Sequence, residues 1–154
     1  MLQKVRVKSK IQKDPHACSL LEEIRQTCHI TSIEKIEIVK VYRFEGWQQK
    51  EAEHFTQTVL VDTVKEGYQF NHVHAQYTHT VVEIARKPGV MNPEVGSILK
   101  AAQDLGGATL DAVDTSYEYH FYGNPTEQEL EKILDTLLMN KTVDYIVKQE
   151  PVTL

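Results

Sequence analysis

Stretches in which apolar and polar residues alternate are separated along this chain by stretches in which apolar residues recur at helical spacing. The segment around Val82 and Ile84 alternates and predicts a strand. Asn92-Pro93 then predicts a helix start, because Asn caps helices and the proline ring suits the first helical position. Gly106 supplies the left-handed residue that ends this helix. Its apolar stripe consists of Val95, Ile98, Leu99, Ala102 and Leu105.

The same signals occur earlier in the chain at a nearly constant offset. Asp14-Pro15 repeats the cap and proline of Asn92-Pro93 at a spacing of 78 (93 − 15 = 78). A strand that closes on Gly46 recurs in a strand that closes on Gly123, 77 positions later (123 − 46 = 77). The stripe of the first helix consists of Leu20, Leu21, Ile24 and Cys28. The sequence therefore predicts two similar halves.

Each half continues with a second helix and a short final strand. The helix after Gly46 runs through Ala52, Phe55 and Val59, and the one after Gly123 opens with a capping box from Thr126 to Glu129. Short alternating strands follow at 64–68 and 143–147. We predict a first unit at residues 1–70, a connector at 71–80 and a second unit at 81–154.

The long middle segment of the second half contains Asp114-Thr115-Ser116, which predicts a turn between two strands. The resulting order of strand, helix, strand, strand, helix, strand is that of ferredoxin-like folds. This order predicts an α+β protein of two tandem units, with antiparallel sheets that carry helices on one face. A unit this small has an open sheet face that requires a partner, so the two units are expected to form an internal pseudo-dimer.

Composition narrows the class of protein. Of 154 residues, 41% are hydrophobic and 25% are charged, which is typical of a folded globular chain. A net charge of −5 opposes nucleic-acid binding, since phosphate contacts require clustered Lys and Arg. The sequence contains neither an apolar signal core nor a membrane-length apolar run, so cytoplasmic location without membrane attachment is expected. Cys18 and Cys28 are expected to be reduced, because ten helical positions separate them by about 15 Å.

Several groups invite a chemical interpretation that the sequence does not favour. His72, His74 and His79 have His-x-His spacing, but no nearby carboxylate or cysteine supplies a further metal ligand, so a solvated connector is favoured. No Ser or Cys stands beside a histidine in a nucleophile motif; the other histidines, His16, His29, His54 and His120, are scattered. No catalytic, cofactor-binding or metal-binding residue is therefore predicted.

Three other features have competing structural explanations. Lys87-Pro88-Gly89 precedes a helix start that could attract an anion, but a turn and cap are favoured over a phosphate site. Trp47 is interpreted as packing in preference to an interface anchor. Sheet packing between the units is favoured over nucleic-acid stacking for the aromatic side chains Tyr117, Tyr119, Phe121 and Tyr122.

The second half resembles the PurS-type small subunit of phosphoribosylformylglycinamidine synthase, also called formylglycinamide ribonucleotide amidotransferase. The matching residues of the turn, the helix and the helix end are Lys87, Pro88, Gly89, Val90, Asn92, Pro93, Ala101, Leu105 and Gly106. The closing pattern of that family is matched by Leu137, Leu138, Asn140, Val143 and Tyr145. The resemblance covers residues 81–150 well and residues 4–70 weakly. Two such units in one chain resemble the N-terminal region of long synthetases.

The resemblance implies a non-catalytic component of an enzyme of de novo purine synthesis. In that family such a part holds the glutaminase and the ATP-dependent synthetase parts together, so those two parts are the expected partners. The residues expected at the partner interface are Trp47, Arg86, Lys87, Pro88 and Asn92. Homo-oligomerisation is open, as is whether the chain is a separate subunit or an N-terminal segment. The alternative is a tandem ACT-like regulatory module that binds an amino acid or another small ligand.

Overall fold

The computed structural model describes residues 2–11, 14–62, 64–70, 79–107 and 109–147. These residues form a mixed α+β fold with a six-stranded antiparallel sheet and four helices, which confirms the predicted class. The strands are β1 (Leu2–Ser9), β2 (Ile33–Glu45), β3 (Glu66–Phe70), β4 (Thr80–Arg86), β5 (Ala112–Gly123) and β6 (Asp144–Val147). The helices are α1 (Pro15–Thr27), α2 (Gln49–Phe55), α3 (Pro93–Leu105) and α4 (Glu127–Ile133). The strand order is β3-β1-β2-β5-β4-β6.

Helices α1 and α3 begin at the two predicted cap and proline signals. An oxygen of Asp14 accepts a hydrogen bond from the Ala17 N–H at 3.4 Å, and Oδ1 of Asn92 accepts one from the Glu94 N–H at 3.1 Å. These bonds satisfy N–H groups that have no partner within the helix. Helix α3 ends at Gly106, which has a φ of +78°. Both predicted helices are confirmed.

Helices α2 and α4 each continue into a single π-helical turn, at Thr56–Leu60 and Leu134–Leu138. The two turns begin 78 positions apart (134 − 56 = 78), so the repeat extends to an irregularity of the backbone. The predicted capping box of α4 is confirmed, because Thr126 Oγ1 accepts from the Glu129 N–H at 3.2 Å and Glu129 Oε1 accepts from the Thr126 N–H at 3.0 Å. The bond from the Thr126 N–H also holds the pKa of Glu129 below its usual range.

The described chain divides into two compact units, each drawn from both halves of the sequence. Unit 1 comprises Met1–Ile11, Val39–Val73 and Met91–Ser116, as far as these ranges are described. Unit 2 comprises, with the same restriction, Gln12–Ile38, His74–Val90 and Tyr117–Leu154. Strands β2 and β5 therefore each contribute one segment to unit 1 and another to unit 2. The boundaries taken from the sequence repeat stay a prediction.

The core of unit 1 lies between helices α2 and α3 and one face of its strands. Val5 and Val7 alternate along β1 and are buried, and Val5 lies opposite Tyr42 of β2 and Phe70 of β3. Arg6, between the two valines, points to the opposite sheet face because successive strand side chains alternate. The buried cluster consists of Val5, Val7, Phe44, Trp47, Ala52, Phe55, Val61, Ile98, Ala102 and Val113.

The core of unit 2 lies between helices α1 and α4 and its strand segments. Phe121 of β5 and Ile133 of α4 are both fully buried in it. Partly buried residues at its margin include Val82 of β4 and Tyr119 of β5. The buried cluster consists of Ala17, Leu20, Ile24, Cys28, Ile30, Ile33, Ile36, Phe121 and Ile133. Aliphatic side chains, chiefly isoleucine, therefore dominate this core.

The predicted turn at Asp114-Thr115-Ser116 is wrong, because β5 runs without interruption from Ala112 to Gly123. The polar side chains that suggested a turn are instead hydrogen-bonded within the fold. Thr115 Oγ1 accepts from Asn92 Nδ2 at 2.8 Å, and Ser116 Oγ accepts from Arg43 Nη1 at 3.0 Å. Each half consequently has the order strand, helix, strand, helix, strand.

Two other details differ from the sequence-based expectation. Ile98 and Ala102 of α3 are buried as predicted, but Leu99 is 37% exposed and Leu105 is 42% exposed, so the buried stripe is narrower. The final strand of the first half begins at Glu66 rather than at residue 64. The connector predicted at 71–80 lies outside the described residues except for its last two positions, of which Thr80 begins β4.

Candidate functional site

Trp47, predicted at a partner interface, lies in the core of unit 1 and is 4% exposed. Its ring lies 5.3 Å from that of Phe44 and 5.2 Å from that of Phe55, between ring centroids. These are separations at which tilted aromatic pairs attract each other. The side chain therefore contributes to packing, as the sequence favoured, and its interface role stays a prediction.

Arg86, Lys87 and Pro88 form an exposed turn at the end of β4 in unit 2. The backbone fixes this turn, since the Lys87 N–H donates to the Val143 carbonyl at 2.8 Å and the Val90 N–H donates to the Lys87 carbonyl at 3.1 Å. Arg86 Nε lies 3.7 Å from Asp144 Oδ1, which is a loose ion pair at an exposed site. The two cationic side chains are thus held on a defined backbone and face solvent.

Asn92, the remaining predicted interface residue, belongs to unit 1 and holds the start of α3. Its amide accepts from Glu94 and donates to Thr115, so both ends of the side chain are engaged in the fold. Its role at a partner interface stays a prediction. Its structural role accounts for the residue type at this position.

Unit 1 also contains a small open cavity beside the start of α3. Its volume of about 290 Å³ lies just below the usual range of about 300 to 1,000 Å³ for pockets that hold small molecules. Glu94 at its rim is bonded to Lys40 of β2. The lining residues are Tyr42, Leu60, Pro93, Glu94, Ser97 and Ile98.

A cluster of titratable side chains lies on the strands of unit 2, opposite the helices. On β5, Tyr119 and Phe121 pack into the core, so the alternate side chains of this strand point to the other face. Glu37 of β2 and His79, which immediately precedes β4, join them there. We call this group the imidazole cluster; it consists of Glu37, His79, Glu118, His120 and Tyr122.

The centre of the imidazole cluster is a line of hydrogen bonds that starts in the protein interior. Glu118 is 0% exposed, and its Oε1 lies 2.9 Å from Nε2 of His120, which is 3% exposed. The other ring nitrogen of His120, Nδ1, lies 2.8 Å from Nε2 of His79. The hydrogen bond from His120 helps to stabilise the buried Glu118 carboxylate, since a buried carboxylate without partners is strongly disfavoured.

The outer side of the cluster consists of aromatic and charged contacts. The ring of His79 stacks on Tyr122 with a centroid separation of 4.1 Å and an interplanar angle of 24°. Tyr122 donates its hydroxyl hydrogen to Glu37 Oε1 at 3.2 Å, and Lys35 Nζ lies 3.1 Å from the same oxygen. Burial lowers the pKa of His79 from its usual 6.5, the charge of His120 lowers it further, and Glu37 partly opposes both.

The sequence interpretation missed this cluster, because it treated His120 as one of several scattered histidines. A usable signal was present, since Glu118, His120 and Tyr122 lie at alternate positions of one strand and must share a face. Their burial could not be inferred, because it depends on the rest of the fold. The contribution of His79 comes from a distant part of the chain.

The histidines considered as metal ligands and the two cysteines can be placed only in part. His72 and His74 lie outside the described residues, and among those described no group of three or more His, Cys, Asp or Glu side chains could hold a metal ion. Cys18 is exposed, Cys28 is buried, and both are free thiols. No helix in the described ranges is long and apolar enough to cross a membrane.

Comparison with protein-family models and with curated proteins finds no match to this chain.

Proposed function

We propose that this chain is a non-catalytic assembly component of phosphoribosylformylglycinamidine synthase. In this role it bridges the glutaminase part and the ATP-dependent synthetase part of the complex. The observation that supports the proposal is the repeat: Asn92-Pro93 recurs as Asp14-Pro15, and the π-helical turns recur at the same spacing of 78. The Lys-Pro-Gly turn and the helix after it provide the resemblance to the PurS-type subunit.

We further propose that the two units are tandem ferredoxin-like units that form an internal pseudo-dimer. Each unit contains two helices, two short strands and one segment each of the long strands β2 and β5. Four antiparallel strand segments with two helices are the components of a ferredoxin-like fold. On this proposal a long strand substitutes for two consecutive strands of that fold, which explains why each half has only three strands.

The exposed turn at Arg86, Lys87 and Pro88 is the proposed docking site for an acidic surface of the synthetase part. A backbone that is fixed before binding loses little entropy when a partner docks, which favours affinity. Arg86 is only loosely paired with Asp144, so a partner carboxylate could replace that contact. Trp47 and Asn92 are the other proposed interface residues; within unit 1, Trp47 packs in the core and Asn92 caps α3.

The proposal is tested by reconstitution from separately purified glutaminase, synthetase and this full chain. The chain alone is expected to hydrolyse neither glutamine nor ATP, and adding it to the two catalytic parts should restore glutamine-dependent amidine synthesis. Synthesis from added ammonium should depend on it much less, because no bridge to a glutaminase is then required. Failure to bind either catalytic part at micromolar concentration would contradict the proposal.

The docking turn is tested with the double variant Arg86→Ala/Lys87→Ala. Loss of two interface charges should weaken binding to the synthetase part by about tenfold, mainly through slower association at low salt. Arg25→Ala is the matched control, since Arg25 is an exposed cation on α1 of the same unit. Equal affinities of the double variant and the control would rule out this turn as the docking site.

The cavity in unit 1 supports a second candidate function, which is binding of a small regulatory ligand such as an amino acid. Its apolar lining and one acidic rim residue would suit a small amphipathic molecule. Thermal unfolding with amino acids and nucleotides separates the two functions. A ligand at 100 times its dissociation constant should stabilise the chain by about 2.7 kcal/mol, and Ile98→Trp, which fills the cavity, should abolish that shift.

A further inference from the structure

The facing nitrogens of His79 and His120 have the geometry of a direct hydrogen bond between two imidazole rings. The two ring centroids are 5.1 Å apart while the facing nitrogens are 2.8 Å apart, so the nitrogens lie close to the line between the rings. Two imidazoles that chelate one metal ion instead direct their lone pairs to a common third point. The arrangement therefore suits a linear N–H···N bond, in which one ring donates and the other accepts.

This bond exists only while at least one of the two rings is neutral. An imidazolium carries hydrogen on both nitrogens and has no acceptor, so two protonated rings would direct N–H groups at each other. Two positive charges in contact also repel, and burial strengthens that repulsion. Addition of the last proton to the pair must consequently break the contact.

The two rings differ in their freedom to move apart. His120 is held from behind by the fully buried carboxylate of Glu118 at 2.9 Å, so its position is fixed. His79 is half-buried immediately before β4, and its ring stacks on the half-buried ring of Tyr122. When the contact breaks, His79 is therefore the residue that leaves, and the beginning of β4 moves with it.

The charges around His79 come from every strand that packs near it. From β2, Glu37 attracts a proton to His79, while Lys35 neutralises part of that charge at 3.1 Å. From β5, Glu118 and Tyr122 face the pair. On β4, the buried Glu83 lies four positions along the chain from His79. Burial and the neighbouring His120 outweigh the attraction of Glu37, and the pKa of folded His79 lies below 6.5.

We propose that the His79–His120–Glu118 line is an acid-responsive latch that holds the N-terminal end of β4 on β5 within unit 2. The latch is closed while at least one of the two rings is neutral, and it opens when His79 takes up the second proton of the pair. It does not depend on the assembly role proposed above, because every group in it belongs to this chain. Its effect is to make the start of β4, directly after residues 71–78, responsive to mild acid.

The direction of the pH effect follows from proton linkage. His79 that has left the cluster regains the usual pKa of 6.5, so the open state binds more protons than the closed state at mildly acidic pH. The free energy by which the His79 contact stabilises the closed latch is fully present above pH 6.5. It decreases as the pH drops towards the lower pKa of folded His79. Between these two values, opening increases by a factor that approaches about tenfold per pH unit.

The test combines imidazole NMR titration with amide hydrogen exchange on the full chain between pH 7.5 and 5.0. His79 should titrate below 6.5, and the ring signals of His120 and Tyr122 should shift at the same pH. Protection of the amides of residues 80–82, corrected for intrinsic exchange, should fall over that range by a factor that approaches about tenfold per pH unit. A His79 pKa at or above 6.5, or pH-independent protection, would overturn the latch.

Variants separate the latch from a general effect of acid. His79→Gln keeps a hydrogen-bonding side chain but carries no titrating group, so protection of residues 80–82 should become nearly independent of pH. His54→Gln, which changes an exposed histidine on α2 of unit 1, should leave the pH dependence unchanged. An equal pH dependence in all three chains would assign the effect to other groups and refute the proposal.

Discussion

The cores of the two units occupy corresponding places in the repeat but are built from different side chains. Unit 1 contains three aromatic rings in mutual contact, Phe44, Trp47 and Phe55, with centroids 5.2 to 5.9 Å apart. At positions 77 and 78 residues later, unit 2 has Phe121 and Ile133, and isoleucine fills most of the remaining core. The repeat therefore fixes where apolar volume is required, and it leaves open which side chains supply it.

The sheet faces opposite the helices differ even more. In unit 1 this face carries Arg6 and Arg43, which bond to the neutral groups of Gln69 and Ser116. In unit 2 it carries the buried carboxylate and the two histidines of the imidazole cluster. The solvent-exposed Lys-Pro-Gly turn also belongs to unit 2. The comparison indicates that the halves share a framework and have acquired different chemistry on it.

The largest expected difference between the units concerns Phe44 and Phe121, which are both fully buried. Replacement of either by Ala should cost about 3 to 5 kcal/mol of unfolding free energy, from lost burial and the cavity left behind. Phe44 contacts the rings of Tyr42, Trp47 and Phe55, so Phe44→Ala should be worse by about 1 kcal/mol.

Urea unfolding of both variants measures this difference, with the partly exposed Leu99→Ala as a control that should cost clearly less. A greater loss for Phe121→Ala would show that the aliphatic core is the more tightly packed of the two, and the comparison would be reversed.

The next largest effect should separate the two glycines that close β2 and β5. Gly123 has a φ of +123°, and a Cβ there would lie 2.3 Å from the backbone oxygen of Ser32. Gly46 has a φ of +97°, and its added Cβ would meet the side chain of Asp111 at 2.5 Å. A side chain can rotate away more easily than a backbone, so Gly123→Ala should lose more stability, by about 1 to 3 kcal/mol.

Thermal unfolding of the two alanine variants tests this order. Gly107→Ala is the control, since its φ is +92° and no atom lies within 4 Å of the added Cβ, so it reports backbone strain alone. Equal losses at Gly46 and Gly123 would mean that the Ser32 backbone adjusts as readily as the Asp111 side chain.

The smallest effect concerns the two helix caps, Asp14 of α1 and Asn92 of α3. Loss of an N-cap costs about 1 kcal/mol, and Asn92→Ala should exceed this because it also removes the bond to Thr115. Asp14→Ala should cost less, since its bond to Ala17 is long at 3.4 Å. Denaturant unfolding measures both losses, and Ser19→Ala, an exposed change on α1, is the control. A larger loss of unfolding free energy for Asp14→Ala than for Asn92→Ala would contradict this order.

The parts of the fold that the sequence predicts correctly are those with a local physical cause. The caps at Asp14, Asn92 and Thr126 determine helix starts through bonds made within three residues, so they can be recognised in the sequence. The π-helical turns have no such local signal. The continuity of β5 was missed because Thr115 and Ser116 are polar for a reason that lies elsewhere, in Asn92 and Arg43.

The candidate site was predictable only in its arrangement along β5. Alternation places Glu118 and His120 on one face, but no local rule states that a carboxylate on that face is fully buried. His79 precedes the next strand of the sheet and is 41 positions away (120 − 79 = 41), so its contact required the strand order. The exposed turn at Arg86 to Pro88 was easier to recognise because Pro-Gly is itself the signal.

The sharing of β2 and β5 between the units has a consequence for synthesis on the ribosome. Unit 1 includes residues up to Ser116, so its α3 and its segment of β5 are still missing when the first half of the chain has emerged. During that interval Phe44 and Phe55 lack the cover that Ile98 and Ala102 later provide. Nascent chains stalled near residue 90 should therefore recruit chaperones that recognise exposed apolar surface, and chains long enough to have released residue 116 should recruit them less.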